Sequence, residues 1–171
     1  MAGFLHSFIR HADVVKIANL AQIVNVIAPL LTREQDVLVQ SIFHSFAMFS
    51  SRRNGISLRC AVDGPNYEGA TNGRVHYIDA SAILEEDKLH VFLTNRSLDE
   101  DADVNIVLAD RAILACAGAE ILTGPEARSA NSFEDPNIVI AKPFEAINIS
   151  NHQAYCKLPP LAFVAMTLNL E

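Results

Sequence analysis

The chain has 171 residues, of which 50% are hydrophobic, and it carries a formal net charge of −7 at pH 7 with an isoelectric point near 5.3. This composition is typical of a folded protein with one domain, or with one domain and part of another, and it argues against intrinsic disorder. The acidic balance also argues against a nucleic-acid partner, which would require a basic surface.

The N-terminal residues do not have the pattern of a targeting segment. His6 and Arg10 interrupt the first apolar stretch, and no small-residue cleavage site follows it, so no signal peptide is predicted. The next apolar stretch, 14–31, contains Lys16, three amides and Pro29, which makes a membrane span improbable. We therefore expect a cytoplasmic protein without a membrane partner.

Residues 3–12 have the spacing of a short amphipathic helix. One face of this helix is apolar and carries Phe4, Leu5, Phe8, Ile9 and Ala12. His6, Arg10 and His11 fall on other faces. We expect His6 and His11 to face solvent or a neighbouring helix.

Residues 14–29 are an apolar run rich in β-branched residues, with Asn19, Gln22 and Asn25 inside it. The run predicts a buried strand over residues 14–21, followed by a loop or short helix over 22–28. Because the amides recur every three residues, a helix also fits the spacing. Amides at the end of a buried strand are costly without partners, and they can both donate to and accept from sugar hydroxyls.

The following segment has the signals of a second helix. Thr32 resembles an N-cap with Gln35 at the capping-box position, which predicts a helix from there to about residue 51. Its expected apolar side carries Leu38, Ile42, Phe46 and Phe49. Asn54 and Gly55 supply a stop signal.

From residue 56 onward, short runs rich in β-forming residues alternate with turn signals, and residues 112–117 and 119–123 read as two separate runs. Acidic clusters at 85–87 and 99–101 separate neighbouring runs, and Pro159-Pro160 precedes the last one. About eight to ten strands at this spacing predict an antiparallel sandwich or jelly roll. We interpret the acidic clusters as solvated loop charges, because turn tips offer no burial to raise a carboxyl pKa.

The change of pattern near residue 55 predicts two domains, 1–55 and 56–171. A lone parallel-type strand between two helices lacks ladder partners, so residues 1–55 are interpreted as the C-terminal end of an incomplete (β/α)₈ barrel. The predicted fold class is therefore mainly β, with a jelly-roll-like antiparallel β-sandwich preceded by an α-β-α remnant of a (β/α)₈ barrel.

Motifs for metal or cofactor chemistry are not recognisable in the sequence. Cys60, Cys116 and Cys156 occur in apolar, strand-like contexts and are expected to be buried free thiols. The histidines show no metal-ligand spacing, and neither a Gly-rich phosphate loop nor a G-x-S-x-G motif occurs. We therefore expect no metal and no cofactor.

Five segments resemble the α-L-arabinofuranosidases of glycoside hydrolase family 51. SFIRHADVVKIANLAQIVNVIAPLLT is similar to the end of the family's catalytic barrel, and SIFHSFAMFSSRRNG is similar to its final barrel helix. YIDASAILEEDKLHVFLTNRS, LTGPEARSANSFEDPNIV and PPLAFVAMTLNL are similar to segments of its C-terminal sandwich. The resemblance spans essentially the whole chain in order.

The resemblance implies the C-terminal part of a retaining, homo-oligomeric hydrolase that removes terminal arabinofuranosyl groups from arabinoxylan, arabinan and their oligosaccharides. It implies an acid/base glutamate and a nucleophilic glutamate on earlier barrel strands, and neither motif occurs here. Gln22, in the ANLAQ motif, is implied to contact the arabinose. No catalytic residue is expected in this chain, so the isolated chain is expected to be inactive without the missing barrel portion.

Two alternatives remain open. One is a freestanding, non-catalytic carbohydrate-binding β-sandwich, which is disfavoured because the chain has no Trp and only three Tyr. Tyr67 and Tyr77 could stack on a sugar, although a core or rim role is favoured. The other is a structural subunit that completes a split barrel supplied by another chain.

Overall fold

The computed structural model describes residues 1–71 and 73–171. Within these residues it contains two helices, α1 (Ala2–Arg10) and α2 (Ser41–Ser50). The first strands are β1 (Leu30–Arg33), β2 (Asp36–Val39), β3 (Ile56–Leu58), β4 (Asn66–Gly69), β5 (Gly73–His76), β6 (Ile78–Glu85) and β7 (Lys88–Asn95). The remaining strands are β8 (Ala102–Ile106), β9 (Ile113–Leu122), β10 (Ala141–Pro143), β11 (Ile147–Ser150), β12 (Gln153–Leu158) and β13 (Phe163–Leu170). Neither described helix is long and apolar enough to cross a membrane.

Two antiparallel sheets face each other across the main hydrophobic core. The large sheet has the strand order β10-β9-β13-β7-β6-β3, and the small sheet has the order β11-β12-β8. Val91 and Met166 from the large sheet pack with Ala154 and Leu158 from the small sheet, and all four are almost wholly buried. Removing these side chains from water is the main driving force for the pairing of the sheets. The predicted mainly β fold with an antiparallel β-sandwich is confirmed.

The opposite face of the large sheet is covered by the two helices. Leu5 of α1 and Phe49 of α2 share a second core with Phe92 and Phe163. The Phe49 ring stacks on Phe92 at a centroid distance of 4.3 Å and on Phe163 at 4.9 Å. Because both faces of the large sheet are buried, β7 and β13 are apolar almost throughout, a pattern usually associated with covered sheets. The division into domains at residue 55 stays a prediction.

The turns predicted at the acidic clusters agree with the structure, whereas the division into strands differs in part: the described residues from 56 onward form eleven strands, β3 to β13, where about eight to ten were predicted. The acidic cluster 85–87 forms the β6–β7 hairpin, where Glu85 pairs with Lys88. The runs 112–117 and 119–123 were predicted as separate strands, but they form the single strand β9. Gly118 lies opposite Thr167 beside a register shift, so the glycine marks an irregularity inside the strand and not its end.

The strand predicted over residues 14–21 is wrong, and so is the helical alternative. After the turn at 11–14, residues 15–20 have no regular secondary structure, no described strand pairs with them, and only an isolated parallel bridge between Val24 and Leu30 follows. A strand forms only when a neighbour supplies hydrogen-bond partners. Val14 and Ile17 are 73% and 78% exposed, so the apolar pattern that indicated burial lacks a covering surface here.

The helix predicted to begin at Thr32 begins instead at Ser41, and β1 and β2 form a hairpin before it. Glu34 in the hairpin turn has a φ of 55°, in the left-handed region, which breaks any continuous helix at that point. The Thr32 backbone amide and hydroxyl bond to Asn25 and do not cap a helix. The capping-box spacing was therefore coincidental.

Gly55 follows α2 in a conformation that requires glycine. Its φ is +114°, and a Cβ atom there would lie 2.2 Å from the Leu84 carbonyl oxygen. Replacing Gly55 by alanine is expected to lower the free energy of unfolding by about 2 kcal/mol, because backbone strain adds to the clash. Urea unfolding measures this change. Gly3→Ala in α1, where nothing lies within 4 Å of the added carbon, is the matched control, and equal losses in both variants would contradict the explanation.

Candidate functional site

Gln22 lies in the segment without regular secondary structure that connects α1 to β1. Its side chain is exposed and makes no hydrogen bond to any described residue. An unpaired, exposed amide retains two donors and one acceptor for a ligand. The role of Gln22 as a sugar contact stays a prediction.

A tight turn follows Gln22 immediately. Asn25 and Val26 have φ values of 64° and 60°, and both therefore lie in the left-handed region. Asparagine tolerates this region, but a β-branched valine rarely adopts it, and each such residue costs about 1–3 kcal/mol. The turn is held by Asn25, whose Nδ2 donates to Thr32 Oγ1 (3.0 Å) while its Oδ1 accepts from the Thr32 amide (2.8 Å).

His6 faces the large sheet and also contacts Phe49 of the neighbouring helix α2, so of the two predicted surroundings solvent is wrong and a neighbouring helix is correct in part. It is wholly buried, with Nδ1 at 2.8 Å from Ser81 Oγ and Nε2 at 3.0 Å from Thr94 Oγ1. The rings of Phe49 and Phe163 meet it edge-on. The pKa of His6 is lowered from 6.5 to about 4, mainly because burial disfavours the charged ring; Arg10 and Arg96 also lower it, whereas nearby Asp79 opposes the shift. The imidazole is therefore neutral at pH 7 and serves as a structural contact.

Asp79 is buried between two arginines at the same interface. Its Oδ1 accepts from Arg10 Nη1 of α1 at 2.6 Å, and its Oδ2 pairs with Arg96 at the end of β7. The Ser57 hydroxyl adds a third tie by donating to the Ile9 carbonyl at 2.6 Å. Helix α1 is thus fixed to the sandwich by polar side chains that the helical pattern placed off its apolar face. The sequence analysis did not predict this ion pair; its one sequence signal is that Asp79 lies inside a strand-forming run.

A row of polar groups on the large sheet has the residue types of a nucleophilic site. His90 is buried, with Nε2 at 2.9 Å from Glu85 Oε2 and Nδ1 at 3.0 Å from Thr167 Oγ1. The Thr167 hydroxyl also accepts from Arg52 Nε at 3.3 Å. The hydrogen bond from His90 lowers the pKa of Glu85. Because the Thr167 hydroxyl also accepts a hydrogen bond from Arg52, just after α2, we interpret these polar groups as a structural network.

The remaining titratable clusters offer little for chemistry. Glu86 and Asp87 form a turn and the cluster 99–101 lies in a loop, as predicted, whereas Glu85 is the last residue of β6. No group of three metal-ligating side chains occurs among the described residues. Cys156 is buried, while Cys60 and Cys116 are half-buried, and all three are free. Burial raises the pKa of Cys156 to about 11 and also raises that of Cys60, so both thiols are protonated at pH 7.

An apolar face lies beside the segment that connects α1 to β1. An open groove of about 450 Å³ lies between α1, α2 and residues 12–18. Its lining includes Phe8, Ile9, Val15, Phe46 and Ile83. Phe4 of α1 is 71% exposed next to it. Contiguous exposed apolar surface of this kind is typical of an interaction face.

The fold and this face define the class of protein: an accessory β-sandwich with two helices on one sheet and an uncovered apolar surface beside them. The family model for the α-L-arabinofuranosidase C-terminal domain matches residues 1–162, and the chain belongs to this family.

Characterised relatives agree with this assignment. An intracellular exo-α-L-arabinofuranosidase from Bacteroides ovatus is 31% identical over 166 residues, covering 96% of this chain and 32% of the relative. An intracellular exo-α-(1→5)-L-arabinofuranosidase from Bacillus subtilis is 31% identical over 142 residues, which is 28% of its length. A family 51 α-L-arabinofuranosidase from Bifidobacterium longum has a TM-score of 0.88 at 25% identity, covering 98% of this chain and 34% of that structure. The chain thus spans about a third of the length of these relatives.

Proposed function

We propose that this chain is the C-terminal part of a retaining exo-α-L-arabinofuranosidase. The complete enzyme removes terminal arabinofuranosyl groups from arabinoxylan- and arabinan-type glycans. In this proposal the missing barrel portion supplies the acid/base and nucleophilic glutamates, whose carboxyl groups lie about 5–5.5 Å apart in a retaining enzyme. The chain supplies the sandwich and a single sugar contact, Gln22.

The observation that carries the proposal is the match to relatives named exo-α-L-arabinofuranosidases along 96% of this chain but only 32% of the relative. The geometry supports it in two ways. Residues 15–22 pair with no described strand, and the apolar groove beside them is open, as expected when a neighbouring part of the protein is missing. Gln22 is exposed and free of internal hydrogen bonds, so its amide is available for sugar hydroxyls.

The test compares the purified chain with a hybrid enzyme, in which this chain replaces the matching C-terminal third of the Bacteroides ovatus relative. With an aryl α-L-arabinofuranoside, the chain alone is expected to show no turnover, and the hybrid is expected to hydrolyse the substrate. Gln22→Ala in the hybrid is expected to lower kcat/KM about 10- to 100-fold, which corresponds to the loss of one or two sugar hydrogen bonds.

Gln153→Ala, which removes an amide on β12 of the small sheet, is the matched control and should leave kcat/KM unchanged. Turnover by the isolated chain that survives rigorous purification would contradict the proposal. So would a Gln22→Ala hybrid with parental kinetics.

The location and assembly of the complete enzyme are also part of the proposal. An intracellular location is supported by the names of the Bacteroides ovatus and Bacillus subtilis relatives. The homo-oligomeric state implied by the family resemblance stays a prediction, which light scattering on the hybrid enzyme measures directly.

A further inference from the structure

The turn after Gln22 is strained without being buried. Asn25 and Val26 both have left-handed backbone conformations, yet Val26 is 80% exposed and the next residue, Ile27, is 72% exposed. Strained conformations persist only where the surroundings over-determine them. Since these side chains bury little surface, polar contacts must hold the turn.

Hydrogen bonds of Asn25 and Gln40 hold this turn. The side-chain amide of Asn25 hydrogen-bonds to Thr32 through both its nitrogen and its oxygen, as described above. The Asn25 backbone amide donates to the Leu30 carbonyl at 2.8 Å, which closes the turn onto the start of β1. The Gln40 backbone amide donates to the Pro29 carbonyl at 2.9 Å, and its side chain donates to the Ala28 carbonyl. The turn therefore rests on the β1–β2 hairpin.

The hairpin is in turn tied to a loop of the sandwich between β9 and β10. Arg33 Nη1 pairs with Glu134 Oε1 at 2.9 Å, and its guanidinium lies 4.3 Å from the centre of the Phe133 ring. Asn131 Nδ2 donates to the carbonyls of Val39 (2.9 Å) and Val139 (3.0 Å), bridging the hairpin and the loop.

We infer that these contacts form a buttress through which the sandwich sets the position of Gln22, with Asn25 and Asn131 as positioning residues. This inference rests on the proposed contact between Gln22 and the arabinofuranosyl group. It gives the sandwich an indirect part in substrate binding, through the backbone that carries Gln22. The ligand is the terminal pentofuranosyl group, recognised by the Gln22 amide, and the contacts act on the position of the backbone next to Gln22.

The first experiment uses the full chain and measures how strongly the Asn25 side chain protects the Thr32 amide. Asn25→Gly keeps the left-handed backbone conformation available but removes the side-chain amide. Amide exchange at Thr32, followed by NMR, is expected to become about tenfold faster, while residues of the sandwich core keep their protection. Asn151→Gly, at another asparagine with a positive φ of 50°, is the matched control and should leave Thr32 unchanged.

The second experiment uses the hybrid enzyme and separates positioning from general stability. Asn25→Gly is expected to lower kcat/KM about tenfold, and the double variant with Gln22→Ala is expected to be no worse than Gln22→Ala alone, because both changes remove one interaction. Asn25→Asp, which keeps the acceptor for the Thr32 amide, should restore most of the activity. Asn131→Ala should act in the same direction as Asn25→Gly.

The outcomes distinguish the two proposals. If Gln22→Ala impairs the hybrid but Asn25→Gly does not, or if their losses simply add, the buttress is wrong and the sugar contact stands. Unchanged exchange at Thr32 in Asn25→Gly also overturns the buttress. If Gln22→Ala itself has no effect, both the sugar contact and the buttress are wrong.

Discussion

Replacing Asp79 by alanine is expected to lower the free energy of unfolding by about 3 kcal/mol, among the largest losses for any single substitution at the interface between α1 and the sheet. The aspartate is 7% exposed and pairs with both Arg10 and Arg96. Its removal leaves two guanidinium groups facing each other with no counter-charge. Because these arginines are about one-third exposed, water screens part of the effect, and the loss falls at the lower end of the range for buried pairs.

Urea unfolding of the full chain measures this effect. Asp79→Asn keeps a hydrogen-bond acceptor but removes the charge, so it should lose less stability than Asp79→Ala. Asp103→Ala, at an exposed aspartate on β8, is the matched control and should change stability by no more than about 0.5 kcal/mol. Similar losses at positions 79 and 103 would show that the buried ion pair does not anchor α1.

The stability of the chain is expected to fall by about 3 kcal/mol through His6 alone as the pH decreases from 7 to 4. The folded pKa is about 4, whereas the unfolded ring titrates near 6.5. Between these values the unfolded chain binds a proton that the folded chain does not. Stability from this group is therefore complete above pH 6.5 and is lost as the pH falls toward 4.

Unfolding at a series of pH values isolates this contribution. His6→Gln keeps polar contacts to Ser81 and Thr94 but cannot titrate, so its stability should be lower at pH 7 and change much less between pH 7 and 5. His11→Gln removes an exposed histidine one turn later and should retain the slope of the parent chain. A parental pH slope in His6→Gln would exclude His6 as its source.

The comparison of pattern with structure is most informative for α1. The helical spacing of its apolar residues was enough to predict a helix, and the structure confirms one at Ala2–Arg10. The pattern did not predict which side faces inward. His6 and Arg10 contact the large sheet, while Phe4 remains 71% exposed. A hydrophobic pattern indicates that one face of a helix must be covered, but it does not identify the part of the protein that covers it.

The segment around Gln22 shows the same limit. Residues 14–21 have the composition of a buried strand, but a strand exists only when a neighbour pairs with it, and no described strand does so. The hairpin 30–39 shows the opposite case, because a helix-capping spacing at Thr32 was overridden by the contacts of Asn25, Asn131 and Arg33 with distant parts of the chain.

The sequence by itself determined that the chain is mainly β, where its sandwich turns lie, and which family it resembles, because strand composition, turn residues and motif order are local properties. The tertiary structure alone decided that α1 buries a neutral histidine and an arginine–aspartate cluster, that residues 30–39 form a hairpin, and that Asn25 holds the turn beside Gln22. These features depend on pairs of groups 7 to more than 90 positions apart, such as Asn25 with Thr32 and Asn131 with Val39. Local periodicity carries no information about such partners, so only the folded chain reveals them.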